Sequence, residues 1–207
     1  MSADTIIHRV VRPAVRLVAP SGITPNTITT LRLATGIAAA VAFAVGDAGW
    51  LAIGAAIFLL SMLLDRADGE LARQTGQSSV AGHRYDLASD CFSNIIAFIG
   101  LGIGQMAALG LLGPALGVAA GLAVGALFWQ LHILRIGELR GYRLAPGILV
   151  DPDDLLIFVP ILIWTGATVP MLFAAAIITP AAALWLAIAG SRQGAAKPER
   201  RETRSAP

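Results

Sequence analysis

The chain is 207 residues long, 56% hydrophobic and only 14% charged, with a mean hydropathy of +0.73. Soluble domains carry about 25% charged residues, so this composition excludes a soluble globular fold and a disordered chain alike, and points to a polytopic membrane protein. The formal net charge of +2 says little by itself, and a single cysteine, Cys91, excludes an intramolecular disulfide and a cysteine metal cage.

Residues 1–20 intersperse Ile6, Ile7, Val10, Val11, Val15 and Leu17 with Arg9, Arg12 and Arg16. That pattern predicts an amphipathic helix lying in the membrane interface against anionic headgroups, with Pro13 interrupting it. It lacks the unbroken apolar core of a cleaved signal peptide. Residues 21–190 form the expected membrane domain. Residues 33–64 hold one charge, Asp47, and residues 91–134 and 155–191 hold none. Each run is too long for one span of about 20 residues and suits two. Turn residues interrupt each run: Gly46 to Gly49, Gly110 to Pro114, and Gly166 to Pro170. Six helices follow, at 27–46, 50–73, 82–109, 114–136, 154–168 and 170–190. No strand is expected, because no run alternates with period two. In this arrangement all 15 Lys and Arg fall on one side, which the positive-inside rule makes cytoplasmic, with both termini there. The polar, basic tail 191–207 reads as disordered. Gly117, Gly121 and Gly125 repeat every four residues, as do Gly100 and Gly104. This spacing suits close helix packing within the chain, with a homodimer interface as the alternative. Trp50, Trp129, Trp164 and Trp185 are candidate interfacial anchors.

The segment 65–90 (DRADGELARQTGQSSVAGHRYDLASD) carries four carboxylates in a membrane protein. Asp65 and Asp68 sit three apart, and Asp86 and Asp90 four apart, so each pair shares a helix face. A short polar connection at 74–81 makes the two helices antiparallel neighbours. Their register sets Asp68 opposite Asp86, and Asp65 opposite Asp90 one turn deeper. Four converging anions demand compensation, and hard divalent cations prefer carboxylate oxygen. Two ions and a phosphate-bearing substrate suit four acids. A metal-free salt-bridge network with Arg66, Arg73 and Arg84 would leave the small residues Gly69, Ala72 and Gly82 unexplained. These small residues open space for a ligand, although Gly69 or Gly82 alone would fit ordinary helix-end geometry. Arg73 can bind phosphate oxygens bidentately.

The pattern Asp65-x₂-Asp68-Gly69-x₂-Ala72-Arg73-x₈-Gly82-x₃-Asp86-x₃-Asp90 resembles the signature of the CDP-alcohol phosphotransferase family, and Thr24 to Thr29 with Arg32 resemble the start of that family's first membrane helix. The resemblance implies a six-helix membrane enzyme of phospholipid biosynthesis. It would cleave a CDP-linked alcohol, most often CDP-diacylglycerol, pass the substituted phosphate to an acceptor hydroxyl, and release CMP. It further implies two Mg²⁺ or Mn²⁺ ions bound by Asp65, Asp68 and Asp86 with Asp90 close by, and Asp90 as general base. Gly69 and Arg73 would hold the CDP phosphates. Ala72 and Gly82 would leave room for the nucleotide, and Ser79 with the stretch Asn26 to Thr29 would contact it. Members using anionic acceptors usually carry Lys or Arg after the fourth aspartate, where this chain has Cys91; the acceptor is therefore expected to be neutral or zwitterionic. Asn94, one turn past Asp90, together with His132 and Arg135, are the candidate acceptor contacts. A divalent-cation transporter or channel is the rival reading of the carboxylates; it leaves Arg73, Gly69 and Gly82 without a role.

Overall fold

The computed structural model describes residues 6–133, 142–145, 148–150 and 152–195. It is helical save for one small hairpin. The elements are α1 (Ile6–Val18), α2 (Pro25–Val45), α3 (Ala48–Thr75), α4 (Val80–Gly104), α5 (Met106–Leu109), α6 (Leu112–Phe128), β1 (Tyr142–Ala145), β2 (Ile148–Val150), α7 (Phe158–Trp164) and α8 (Thr168–Ala195). Among the described residues, α2, α3, α4, α8 and the span Leu112–His132 are long and apolar enough to cross a membrane.

Local chemistry sets the helix ends. Thr24 caps α2 by accepting from the Thr27 amide at 3.3 Å, and Pro25 occupies the first turn, where no amide donor is missed. Ser79 caps α4 by accepting from the Gly82 amide at 2.9 Å. Gly76 ends α3 at φ +69°, a left-handed turn that turns the chain toward α4 at little steric cost. At about 1.5 Å per residue, the 28 residues of α3 run about 42 Å, more than the roughly 30 Å hydrocarbon core. Its acidic end is therefore long enough to extend past the core.

The packing differs from the expected hairpin in one consequential respect. α3 and α4 touch only marginally; α2 lies between them and packs along both, while α4 packs on α6 and α6 on α8. The hydrophobic core gathers Phe43, Phe58, Phe98, Leu101 and Leu172, with the Phe43 and Phe58 rings 6.1 Å apart. The glycine stripe of α6 is consumed within the chain. A Cβ on Gly117 would lie 2.5 Å from the Phe98 carbonyl oxygen, and one on Gly121 2.7 Å from that of Ile95. Gly100 of α4 lies in the same way against the Ala40 carbonyl of α2.

Three expectations change. The span at 154–168 is a 3-10 turn, Pro152–Ile157, followed by the short α7. Pro160 sits in the first turn of α7, where its missing amide donor is tolerated, and its ring crowds the turn before it, which limits how far the α-helix extends toward Pro152. A strand pair is present after all: β1 and β2 run antiparallel, with Tyr142 opposite Val150, on either side of the Pro146-Gly147 dipeptide. The last helix continues to Ala195, so the first five residues of the tail read as disordered are helical; 196–207 lie outside the described residues. α1 forms despite Pro13. It buries Val11 and Val15 against Ile28 and Leu71 and leaves Val10 and Leu17 64% and 82% exposed.

Candidate active site

Two compartments open beside the acid cluster, and α2 lines both. The first is a groove of about 270 Å³. Its lining includes Asp68, Gly69, Ala72 and Arg73 from α3, Asn26 and Thr29 from α2, and Ser79, Gly82 and Asp86 at the start of α4. The second is a small pocket of about 20 Å³, room for roughly one water-sized group. It is lined by Asp65 and Arg66 of α3, Asp90 and Asn94 of α4, and Arg32 and Ser61 among others. Asp68 thus shares one compartment with Asp86, and Asp65 shares the other with Asp90. The register arithmetic paired them this way, although the helices that carry them are bridged by α2 rather than packed on each other.

Arg32 is the centre of the second compartment. It is 3% exposed; its Nε lies 3.3 Å from Asp65 Oδ1, and its Nη2 donates to Asp90 Oδ1. Asn94 Nδ2 donates to the same Asp90 oxygen at 3.1 Å, and Arg66 Nη1 stands 3.5 Å from Asp65 Oδ2. Ser61 Oγ donates to the Arg32 carbonyl at 3.0 Å, tying α3 to α2 at this level. In the groove, Thr29 Oγ1 donates to Asp68 Oδ2 at 2.6 Å. Among the described residues neither Asp68 nor Asp86 has an ion pair, and Asp86 Oδ1 is buried without a hydrogen-bond partner. A buried anionic oxygen with no donor is strongly disfavoured. The donor set is all carboxylate oxygen, which hard divalent cations favour, so the residues present fit such an ion. Among the described residues no three acids already form a compact ligand set. Arg32 stands between Asp65 and Asp90; of the arginines in the metal-free alternative, Arg66 pairs with Asp65 and Arg73 pairs with Glu70 among the described residues.

Gly69 and Gly82, grouped in the sequence, serve different ends. A Cβ on Gly69 would meet nothing within 4 Å, so this position opens onto the groove, whereas one on Gly82 would lie 3.0 Å from both Asn26 Oδ1 and Ser79 Oγ. Gly82 therefore lets α4 begin against α2. His132 lines neither compartment. It sits in a π-helical turn, Trp129–Ile133, with its ring stacked 4.2 Å from that of Phe128. Arg135 lies outside the described residues. Trp164, expected as an interfacial anchor, donates its indole N–H to the Ala52 carbonyl at 3.1 Å.

Two residues escape the sequence reading. Arg32 was legible only as part of a motif start, although a charge inside an apolar helix is itself a signal of an intramembrane partner. Glu70 is 6% exposed and binds Arg73 Nη2 at 2.6 Å, Gln74 Nε2 at 2.9 Å and Arg12 Nε at 3.2 Å. Its spacing to Arg73 and Gln74 was visible in the sequence; its tie to α1 was not.

In this helical membrane protein, an acid-lined groove with an arginine and an open glycine beside it has the chemistry of a phosphate-binding site. Residues 22–189 match the CDP-alcohol phosphatidyltransferase family, and the chain belongs to this family of phosphotransferases. It is 29% identical over 147 residues to the phosphatidylinositol phosphate synthase of Mycolicibacterium smegmatis, covering 70% of this chain and 64% of that protein. The chain thus spans a little under two thirds of the length of that curated relative. Its fold resembles the crystal structure of Mycobacterium tuberculosis phosphatidylinositol phosphate synthase with CDP-DAG bound, at a TM-score of 0.60 and 20% identity over 90% of this chain and 92% of that one. The apo form of the same synthase gives 0.59 and 22%, over 85% and 95%.

Proposed function

We propose that this protein is a membrane transferase of phospholipid biosynthesis. It cleaves the diphosphate of CDP-diacylglycerol, transfers the substituted phosphate to an acceptor hydroxyl, and releases CMP. The observation that carries this reading is the groove itself, where Asp68 and Asp86 face Arg73 and the open Gly69 in one space. The CDP-DAG-bound crystal structure of the mycobacterial synthase supports the choice of donor.

Each residue then has a task. Arg73 holds phosphate oxygens through its planar fork of donors. Gly69 and Ala72 let the diphosphate approach the α3 backbone, and Asn26, Thr29, Ser79 and Gly82 line the nucleotide side. Mg²⁺ or Mn²⁺, two ions in all, held by Asp65, Asp68, Asp86 and Asp90, would neutralise the diphosphate and stabilise CMP as it leaves. Asp90 takes the proton of the acceptor hydroxyl while the new P–O bond forms and the bond to CMP breaks. Arg32 and Asn94 fix the orientation of the Asp90 carboxylate, since both donate to its Oδ1.

The acceptor is neutral or zwitterionic. Cys91 follows the fourth aspartate, and no Lys or Arg occurs between there and Arg135; Arg66, which lines the Asp90 pocket, is engaged with Asp65. Asn94, which lines the Asp90 pocket, contacts the acceptor, and His132 and Arg135 are the remaining candidates for its recognition. The chain crosses the cytoplasmic membrane six times, with both termini and the groove on the cytoplasmic side. Residues 152–164 make a short crossing of about 22 Å. α1 lies in the interface.

The test is CMP release from CDP-diacylglycerol by the purified protein in lipid nanodiscs with Mn²⁺. Acceptors would include inositol and inositol phosphate, other polyols and amino alcohols. Absence of CMP with every acceptor would sink the transfer reading; CMP with phosphorylated acceptors alone would sink the neutral-acceptor reading.

A further inference from the structure

Arg73 has a difficulty built into its position. It must offer its guanidinium to a diphosphate, yet it lines the same groove as Asp68 and Asp86, neither of which has an ion pair among the described residues. Left to itself, a flexible arginine is drawn onto such acids. Glu70 supplies the restraint. It lies on α3 three residues before Arg73, its side chain is 7% exposed, and its Oε2 accepts from Arg73 Nη2 at 2.6 Å. Its other oxygen, Oε1, accepts from Gln74 Nε2 and from Arg12 Nε of α1. Both carboxylate oxygens are therefore occupied and the group cannot turn away. Arg12 belongs to the helix whose Val11 and Val15 pack on Ile28 and Leu71, one residue beyond Glu70.

We propose that Glu70 is a positioning residue: clamped between Arg12 of α1 and Arg73 of the groove, it holds the Arg73 guanidinium off the acid cluster and presents it to the diphosphate. α1 is thereby part of the nucleotide site through one charged link. This rests on the reading of Arg73 as a phosphate ligand. It predicts that loss of Glu70 harms two things at once. Nucleotide binding falls because Arg73 is misplaced, and metal binding falls because Arg73 now competes for Asp68 and Asp86.

The experiment uses the full chain in nanodiscs, with CDP titrated in saturating Mn²⁺ and, separately, Mn²⁺ titrated without nucleotide and followed by electron paramagnetic resonance. Glu70→Gln is expected to weaken CDP binding about tenfold, equivalent to about 1.4 kcal/mol, and to weaken Mn²⁺ binding as well. Arg12→Gln should weaken CDP binding by a smaller factor, and adding it to Glu70→Gln should cost nothing further. The decisive variant is Glu70→Gln with Arg73→Gln, in which Mn²⁺ affinity returns to the wild-type value because the competitor is gone. A residue that only braced the helices would show no such rescue. If Arg73→Gln weakens CDP binding but Glu70→Gln does not, this inference fails alone. If Arg73→Gln itself binds CDP normally, the underlying phosphate assignment fails. Should Glu70→Gln not fold, Arg12→Gln decides: wild-type CDP affinity in that variant overturns the link.

Discussion

Replacing Arg32 with Met tests the electrostatic logic of the acid cluster most directly. The substitution keeps a long side chain but removes the buried cation that bridges Asp65 and Asp90. Breaking a buried ion pair by deleting one partner costs about 3–5 kcal/mol, because the other charge is left uncompensated. Here Asp65 retains Arg66 at 3.5 Å and Asp90 retains Asn94 at 3.1 Å, and both acids are about one-sixth exposed (15% and 16%). The lower end applies, about 3 kcal/mol, or a fall in Tm of roughly 6–12 °C for a chain of this size. The measurement is thermal unfolding in nanodiscs, followed by circular dichroism, in chelator and then in saturating Mn²⁺. A divalent ion that binds only the folded state stabilises it and supplies the charge that Arg32 gave. The deficit should therefore shrink in Mn²⁺. An equal deficit in both conditions would refute the idea that arginine and metal compensate the same carboxylates; no deficit in chelator would refute the burial argument itself.

Further expectations follow from single contacts. Asp90→Asn should bind CDP normally yet lose CMP release by a factor of a hundred or more, roughly the contribution of a general base; normal turnover would remove Asp90 from that role. Gly69→Ala should not lower Tm, since nothing lies within 4 Å of the added carbon and alanine favours a helix interior over glycine, while lowering CDP affinity in a titration. Gly121→Val should do the opposite, destabilising the fold by about 1–3 kcal/mol through overpacking, because its Cβ would meet the Ile95 carbonyl at 2.7 Å; an unchanged Tm would mean that α4 and α6 are not so closely packed. Chelation should abolish CMP release and re-addition of Mn²⁺ restore it; activity in chelator would exclude the metal from the reaction.

Much of the architecture was written locally. Charge-free runs and their glycine turns delimit the long helices, since hydrocarbon tolerates few charges and a helix closes its own hydrogen bonds. The spacing of Asp65, Asp68, Asp86 and Asp90 also sorted the acids into their two pairs, because helical periodicity and a short connection constrain register. The sequence lacked a comparable signal for α7. Its apolar length looked sufficient, but Pro160 restricts how far back an α-helix can run.

Which helix stands beside which is a different kind of question. A hairpin connection brings α3 and α4 together at one end, but it does not require them to pack along their length. Side-chain volumes decide that, and Gly100 and Gly36, lying against α2 and α4, let α2 insert between them. Only that insertion puts Arg32 between Asp65 and Asp90, and Thr29 on Asp68. Only the docking of α1 brings Arg12 to Glu70 across 58 residues of sequence. Helix periodicity and hydropathy are short-range properties and survive in the bare sequence. The compensation of buried charge is a through-space property, and it exists only once distant segments have packed.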